Sequence, residues 1–180
     1  MRIIAGKHRG RRLQVPKNLP VRPTTDRARE ALFSILNQKF DFSTNNILDL
    51  YAGTGSISYE FCSRGAASVT AVDQHAGCVR YITQTAKDLD LPLRVYRQNC
   101  MQFLEKCKTK YNIIFADPPY ATAQQAQQKI VKVVSERELL KPDGLFILEH
   151  GEQQDFSAER FFVEQRKYGG CVFSFFDMRT

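Results

Sequence analysis

The sequence lacks the features that mark several special classes of protein. It has no run of about 18 apolar residues, so no membrane-spanning helix is predicted. Its cysteines are odd in number and form no C-x-x-C pair, which argues against a disulfide framework and a zinc site. Residues 1–20 are basic and contain no apolar segment of the secretory-signal type. We therefore expect one domain over residues 1–180: a cytoplasmic monomer that binds neither a membrane nor a metal.

Acidic residues are absent from the first 25 positions, where the whole formal net charge of +7 is concentrated. Such a one-sided cluster suits a polyanion, because each phosphate that is neutralised releases condensed counterions. Two short apolar pieces flank a glycine-containing basic turn, so residues 1–24 are predicted to form a basic N-terminal β-hairpin arm rather than a solvated tail. The candidate nucleic-acid contacts in this arm are Arg2, Lys7, His8, Arg9, Arg11, Arg12 and Arg22.

The rest of the chain alternates short apolar runs with helical patterns. Asp26 is the predicted N-cap of a first amphipathic helix. From Asn46 onward the runs ILDLY, VTAVD, LRVYR, YNIIFAD and GLFILEH alternate with helices, which is typical of a parallel sheet with crossover helices. Near the end, Tyr168-Gly169-Gly170 joins two strand-like pieces and predicts one antiparallel edge strand. The predicted fold is α/β: a doubly wound, mostly parallel, Rossmann-like sheet of seven strands with a C-terminal antiparallel hairpin and an N-terminal β-hairpin extension.

The segment DLYAGTG, which follows the first predicted strand, indicates a ligand site. Glycines at the C-terminal end of such a strand let the backbone turn sharply and approach a ligand closely. A nicotinamide dinucleotide pattern would need a third glycine at position 58, where the chain has Ser58, so a ligand without phosphates fits better. Asp73 ends the second strand about twenty residues after Gly53, where an acid can accept hydrogen bonds from a ribose.

Asp49 extends this prediction, because it lies in the same turn near the other end of a bound nucleoside. S-adenosylmethionine supplies a ribose, an ammonium and a sulfonium, and all three favour acidic neighbours. It is the predicted cofactor, and its predicted contacts from this part of the chain are Asp49, Tyr51, Gly53, Thr54, Gly55 and Asp73.

The segment FADPPY, which closes the fourth predicted strand, has two interpretations. Its prolines could simply end the strand. Alternatively, the Asp117 carboxylate and the Pro118 carbonyl are two acceptors aimed at the protons of an amine, which would free the nitrogen lone pair for attack on a methyl group. Pro118 and Pro119 would hold these acceptors rigidly. Tyr120 would stack on a base, which is worth roughly 1 to 3 kcal/mol. These four residues are the predicted catalytic set, with Asp117 also next to the cofactor.

DLYAGTG, AVD and DPPY, in this order, resemble the class I S-adenosylmethionine-dependent methyltransferases that modify an exocyclic or planar nitrogen. Together with RIIAGKHRGRRL, RPTTDRAREALFSIL and NCMQFL, they make the chain similar to the RsmD family of bacterial 16S ribosomal RNA guanine-N2 methyltransferases, from Arg2 to about Glu149. This resemblance implies the class I methyltransferase fold and methyl transfer to N2 of one guanine in 16S rRNA, within the small ribosomal subunit or its assembly intermediate. It also makes the basic arm an RNA-binding extension.

The resemblance and the fold together place the cofactor's adenine beside Asn99 and Cys100, although Asn99 could equally be a helix N-cap. Thr24, Thr25 and Asp26 either cover the cofactor or cap a helix. Two other functions stay open. DPPY does not separate guanine N2 from adenine N6, so a DNA or RNA adenine-N6 methyltransferase is one alternative. The other is a catalytically silent RNA-binding assembly factor.

Overall fold

The computed structural model describes residues 1–21, 24–119 and 121–177. Its centre is a seven-stranded sheet with the strand order β3-β2-β1-β4-β5-β7-β6. The strands are β1 (Asn46–Leu50), β2 (Ser68–Asp73), β3 (Leu93–Arg97), β4 (Tyr111–Ala116), β5 (Leu140–His150), β6 (Phe162–Tyr168) and β7 (Cys171–Phe176). The helices are α1 (Asp26–Lys39), α2 (Ser56–Ser63), α3 (Ala76–Asp88), α4 (Cys100–Lys106) and α5 (Gln124–Glu136), with a 3₁₀ turn at Phe42–Thr44.

Helices cover both faces of this sheet, which confirms the doubly wound α/β prediction. One face packs against α1 and α2, and the other packs against α4 and α5. Strands β1 to β5 pair in parallel, with β2 and β4 on opposite sides of β1. The strand order therefore reverses at β1, and in open α/β sheets such a reversal leaves a crevice at the carboxyl ends of the strands, where ligands bind.

The C-terminal hairpin forms as predicted and completes the seven strands, but the strand that pairs antiparallel with β5 is not the edge strand. β7 pairs antiparallel with both β5 and β6, so β7 lies inside the sheet and β6 forms the edge. Every residue of β7 is buried, whereas every residue of β6 is at least partly exposed. The apolar strand takes the interior position because both of its faces are covered there.

Helix α1 starts one residue earlier than the sequence suggested. Thr25 is the N-cap, and its hydroxyl oxygen accepts a hydrogen bond from the Ala28 N–H at 3.2 Å. Asp26, the predicted cap, is instead the first helical residue, where its charge is favourable near the helix N-terminus. Its carboxylate binds the buried Arg29 guanidinium at 2.7 Å. Thr and Asp both cap well, so the sequence T-T-D did not decide between them.

The N-terminal arm turns back on itself, as the hairpin prediction requires. Its described residues contain an isolated antiparallel bridge between Arg2 and Arg12 but no regular strand. The Ile3 N–H donates to the Arg11 carbonyl at 3.0 Å, and the Gly10 N–H donates to the Ile3 carbonyl at 2.8 Å. The arm is therefore an ordered, tight turn.

Helix α2 holds this turn in place. The Lys7 N–H donates to the Ser63 carbonyl at 2.7 Å, and the His8 N–H donates to the Ser63 hydroxyl at 3.0 Å. The Ile4 N–H donates to the Glu60 carboxylate at 2.5 Å. Gly6 lies so close to the helix that an added Cβ would meet the Ser63 carbonyl oxygen at 1.8 Å. The basic cluster is thus presented on a fixed scaffold rather than on a tail.

Two further properties follow from the described part of the chain. None of its helices is both long enough and apolar enough to cross a membrane. The five cysteines, which all lie within the described residues, form no disulfide.

Candidate active site

A cavity of about 570 Å³ opens at the carboxyl ends of the central parallel strands. This volume is within the range of about 300 to 1,000 Å³ that is usual for small-molecule sites. Nine of the predicted site residues line it: Asp49, Tyr51, Gly53, Thr54, Asp73, Cys100, Asp117, Pro118 and Pro119. The two sequence segments DLYAGTG and FADPP, which are some sixty residues apart, thus meet at one site.

The glycine turn after β1 has the conformation that its sequence predicts. Gly53 and Gly55 have φ angles of +55° and +78°, a region that side chains disfavour. A Cβ at Gly55 would also lie 2.8 Å from the Tyr59 ring. Gly55 is the N-cap of α2 and does not line the cavity, so it contributes by shaping the turn.

Asp73 ties this turn to the end of β2. One of its carboxylate oxygens accepts the Gly53 N–H at 2.9 Å, and the other accepts the His75 N–H at 2.7 Å. A carboxylate offers about four acceptor sites, so two remain for the hydroxyls of a ribose. The two backbone bonds fix the orientation of the carboxylate at the cavity wall.

Asp49 lies deeper in the site, with a relative exposure of 1%. Its carboxylate accepts two hydrogen bonds from Ser58, one from the backbone N–H at 3.1 Å and one from the hydroxyl at 2.5 Å. Burial nevertheless raises the pKa of Asp49 to about 7, because the charged form loses its hydration. A bound cation would stabilise the ionised form.

Two more carboxylates lie on the same face of the sheet as Asp49. Ala116 of β4 is paired with Leu148 of β5, so the next residues, Asp117 and Glu149, are level with each other at the end of adjacent parallel strands. Both line the cavity. Burial raises the pKa of Asp117 well above its usual range, and the negative charges of Glu149 and then Asp49 raise it further.

Of the two residues predicted to contact adenine, Asn99 and Cys100, only Cys100 lines the cavity. The Asn99 side chain caps α4, since its oxygen accepts the N–H groups of Met101 at 3.0 Å and Gln102 at 3.2 Å. Asn99 does not line the cavity, whereas Cys100 does. The Cys100 sulfur accepts the Tyr51 N–H at 3.2 Å, which links α4 to the glycine turn.

The described members of the predicted nucleic-acid contacts do not line the cavity. Arg2, Lys7, Arg9, Arg11 and Arg12 are exposed, and none of the arm's described basic residues lines the cavity. His8 is partly buried, and its pKa is lowered by burial and by the charges of Lys7 and Arg11. Arg22 and Tyr120, which were predicted for RNA binding and base stacking, lie outside the described residues.

Glu149 was not predicted as a site residue. Its carboxylate accepts a hydrogen bond from the Thr24 hydroxyl at 3.2 Å, and its relative exposure is only 3%. Thr24 belongs to a short segment that also contributes Pro20, Val21 and Thr25 to the cavity wall. The signal in the sequence was an acid near the end of the GLFILEH run, at the edge of the sheet where Asp73 and Asp117 also lie.

These residues fit S-adenosylmethionine. Asp49 and Asp117 place two carboxylates at one cavity, and burial raises the pKa of both, so a bound cation would favour their ionised forms. Asp73 has acceptor sites suited to a ribose at the other end of the glycine turn. In the described residues, no group of three or more His, Cys, Asp or Glu side chains is arranged to hold a metal ion.

Comparisons with known proteins agree with this geometry. The family model described as Conserved hypothetical protein 95 matches residues 1–177. YlbH of Bacillus subtilis, which carries the name of an rRNA methyltransferase, is 32% identical over 155 residues, covering 83% of this chain and 82% of that protein. Ribosomal RNA small subunit methyltransferase D of Escherichia coli is 38% identical over 121 residues, covering 67% of this chain and 60% of that protein.

A solved structure from Escherichia coli named as the methyltransferase yhhF has a TM-score of 0.85 and 29% identity, covering 98% of this chain and 96% of that chain. Methyltransferases solved with bound S-adenosylmethionine share the fold at 20% identity or less. The family model, the curated relatives and the site geometry lead to the same assignment. The chain belongs to the RsmD family of S-adenosylmethionine-dependent rRNA methyltransferases.

Proposed function

We propose that this protein transfers a methyl group from S-adenosylmethionine to the exocyclic N2 amine of one guanine in the RNA of the small ribosomal subunit. The observation that carries the proposal is the position of Asp117 and Pro118, which directly follow β4. They line the same cavity as Asp49 and Asp73, the acids predicted to bind the cofactor. The name of the Escherichia coli relative supports small-subunit rRNA as the substrate.

The amine is a poor nucleophile because its lone pair is delocalised into the ring. S-adenosylmethionine supplies the electrophilic methyl group when it is bound. The Asp117 carboxylate and the Pro118 carbonyl supply two acceptors for the two amine protons, which favours a tetrahedral nitrogen with a localised lone pair. The Asp117 N–H donates to the Leu50 carbonyl at 3.3 Å, so these acceptors are fixed to the central strand β1.

The methylated nitrogen carries a positive charge until it loses a proton. Asp117 is suited to accept that proton, since burial and the neighbouring carboxylates raise its pKa well above its usual range. Transfer to solvent would serve equally, and the reaction then needs Asp117 only for positioning and for charge complementarity.

The charge and position of the basic arm are consistent with a large polyanionic substrate. It lies next to the glycine turn, since the Thr54 hydroxyl is 3.7 Å from the Met1 sulfur, and its described arginines are exposed. The target base has to leave its stack to enter the cavity, which costs a few kcal/mol, and phosphate contacts from the arm would supply part of that binding energy.

An adenine-N6 methyltransferase is the second candidate, because adenine also presents an amine to two acceptors. A Thermus thermophilus 16S rRNA N2 G1207 methyltransferase solved with AdoMet and guanosine has the same fold, but its 20% identity speaks for the fold alone.

One experiment tests the function. The protein is incubated with methyl-labelled S-adenosylmethionine and either naked 16S rRNA or undermethylated 30S particles, and the labelled nucleoside is identified by mass spectrometry. N2-methylguanosine at a single position is expected. N6-methyladenosine would overturn the guanine assignment, and RNA binding without any label transfer would support the silent assembly factor instead.

A further inference from the structure

Glu149 is a buried carboxylate that neither cofactor binding nor the attack on the methyl group has used so far. It follows Leu148 of β5 as Asp117 follows Ala116 of β4, so the two side chains lie side by side on one face of the sheet. Both line the cavity, and Glu149 contributes to the raised pKa of Asp117, which shows that the carboxylates are electrostatically close. A base whose amine is held by Asp117 would therefore present its neighbouring ring atom to Glu149.

The ring atom next to the amine differs between bases. In guanine, N1 carries a hydrogen, so N1 and N2 form a continuous edge of donors. In adenine and cytosine, the ring nitrogen next to the amine carries a lone pair and is an acceptor. An ionised carboxylate is an acceptor only, so it matches the guanine edge and repels the other two.

We propose that Glu149 selects guanine by accepting a hydrogen bond from its N1–H, while Asp117 and the Pro118 carbonyl hold the N2 amine. This inference rests on the proposed function and names the residue that gives it base specificity. Glu149 acts on the choice of base, and Asp117 acts on the reacting nitrogen.

Thr24 prepares the Glu149 carboxylate for this role. Its hydroxyl donates to one carboxylate oxygen at 3.2 Å, which occupies one of about four acceptor sites and restricts the side-chain rotamer. Thr24 is the last residue of the basic arm and directly precedes Thr25, the N-cap of α1, so the arm that carries the basic cluster also orients the base-reading group.

The size of the effect follows from the burial of Glu149, which is 3% exposed. A well-placed pair of base contacts discriminates by roughly 5- to 150-fold. A base with a lone pair opposite the buried Glu149 carboxylate is rejected at least as strongly, because neither acceptor can be solvated. We therefore expect the wild-type protein to prefer guanine over a base with an N1 lone pair by at least about tenfold.

The test uses 2-aminopurine, which keeps the amine at position 2 but has a lone pair at N1. 30S particles are reconstituted with RNA that carries either guanine or 2-aminopurine at the position identified by mass spectrometry, and kcat/KM is measured for both. The variant is Glu149→Gln, whose amide can still accept from Thr24 and can donate to the N1 lone pair. The matched control is Glu152→Gln, the same change at an exposed residue three positions away.

The wild-type protein and Glu152→Gln should reject 2-aminopurine by about tenfold or more. In Glu149→Gln this preference should fall by a similar factor, while S-adenosylmethionine binding measured by calorimetry is retained. An unchanged preference in a folded Glu149→Gln protein would overturn the role of Glu149. If that variant does not fold, equal use of the two bases by the wild-type protein would overturn it instead. Failure of the wild-type protein to methylate any guanine overturns the proposed function and the base-selecting role together.

Discussion

Ser58 donates both its backbone N–H and its hydroxyl to the Asp49 carboxylate, at 3.1 and 2.5 Å. Position 58 is where a dinucleotide-binding pattern would require its third glycine. Ser58, which departs from this pattern, therefore stabilises the Asp49 carboxylate at the wall of the ligand cavity. A glycine there could supply only the backbone bond, and the carboxylate would lose half of this support.

The pH dependence of cofactor binding should follow the ionisation of Asp49. Its pKa is raised to about 7 by burial, so a fraction of the protein must release a proton before the carboxylate can stabilise a sulfonium or ammonium. Because the ionised form binds the cation, affinity should rise by about tenfold between pH 6 and pH 8, which calorimetry can measure. In Asp49→Asn this dependence should be lost and the affinity should be lower at pH 8.

The raised pKa of Asp49 also predicts how the stability of the protein without cofactor depends on pH. The folded-state pKa of Asp49 lies above its unfolded value, so the folded state holds the proton more tightly. The contribution of Asp49 to stability is then lost as pH rises towards and through 7. Thermal unfolding should show a smaller loss between pH 6 and pH 8 in Asp49→Asn than in the wild-type protein. Equal losses in the two proteins would contradict the assignment.

The docking of the arm depends on Gly6. Substitution by alanine would place a Cβ 1.8 Å from the Ser63 carbonyl oxygen, so the arm should separate from α2. We expect Gly6→Ala to expose the arm to limited proteolysis and to weaken RNA binding. Gly10→Ala is the matched control, because Gly10 has a similar φ of +80° but no atom within 4 Å of the added Cβ. Equal protection of both variants would show that the contact with α2 does not hold the arm.

The exposed arginines of the arm should determine the salt dependence of RNA binding. Replacing Arg9, Arg11 and Arg12 by alanine should weaken binding and reduce the slope of log K against log salt by about 0.7 to 0.9 for each phosphate contact that is lost. Filter binding at several salt concentrations gives this slope. The control replaces the exposed Lys106, Lys108 and Lys129, which lie outside the arm. The same slope in both variants would mean that charge, rather than the position of the arm, controls binding.

Local sequence patterns predicted the parts of the site that depend on local chemistry. A glycine turn after a strand and an acid at the strand end need only the residues that are adjacent in sequence, and Gly53, Asp73 and Asp117 all lie at the predicted edge. The alternation of strands and helices likewise predicted the parallel sheet, because each crossover is a local unit.

Contacts between distant segments were not predictable in this way. One partner of Glu149 is Thr24, which is 125 positions earlier, and an acid at a strand end is often only solvated. The interior position of β7 depends on pairing with β5 as well as with its hairpin partner β6. Asn99 shows the converse: its local role as a helix cap is what the structure displays, with both donors within three residues.

Two substitutions of Asp117 should separate its role as a hydrogen-bond acceptor from the role of its negative charge. Asp117→Ala removes both and should lower kcat by about 10²- to 10³-fold while calorimetry still detects S-adenosylmethionine binding. Asp117→Asn keeps one acceptor at the same position, so it should recover part of that loss. The wild-type rate should rise with pH through the raised pKa of Asp117, because only the ionised form accepts both a proton and a hydrogen bond. Asp117→Asn should lack this rise. Wild-type turnover in Asp117→Ala would remove Asp117 from the reaction, and an identical pH profile in Asp117→Asn would assign the titration to another group, such as Glu149 or Asp49.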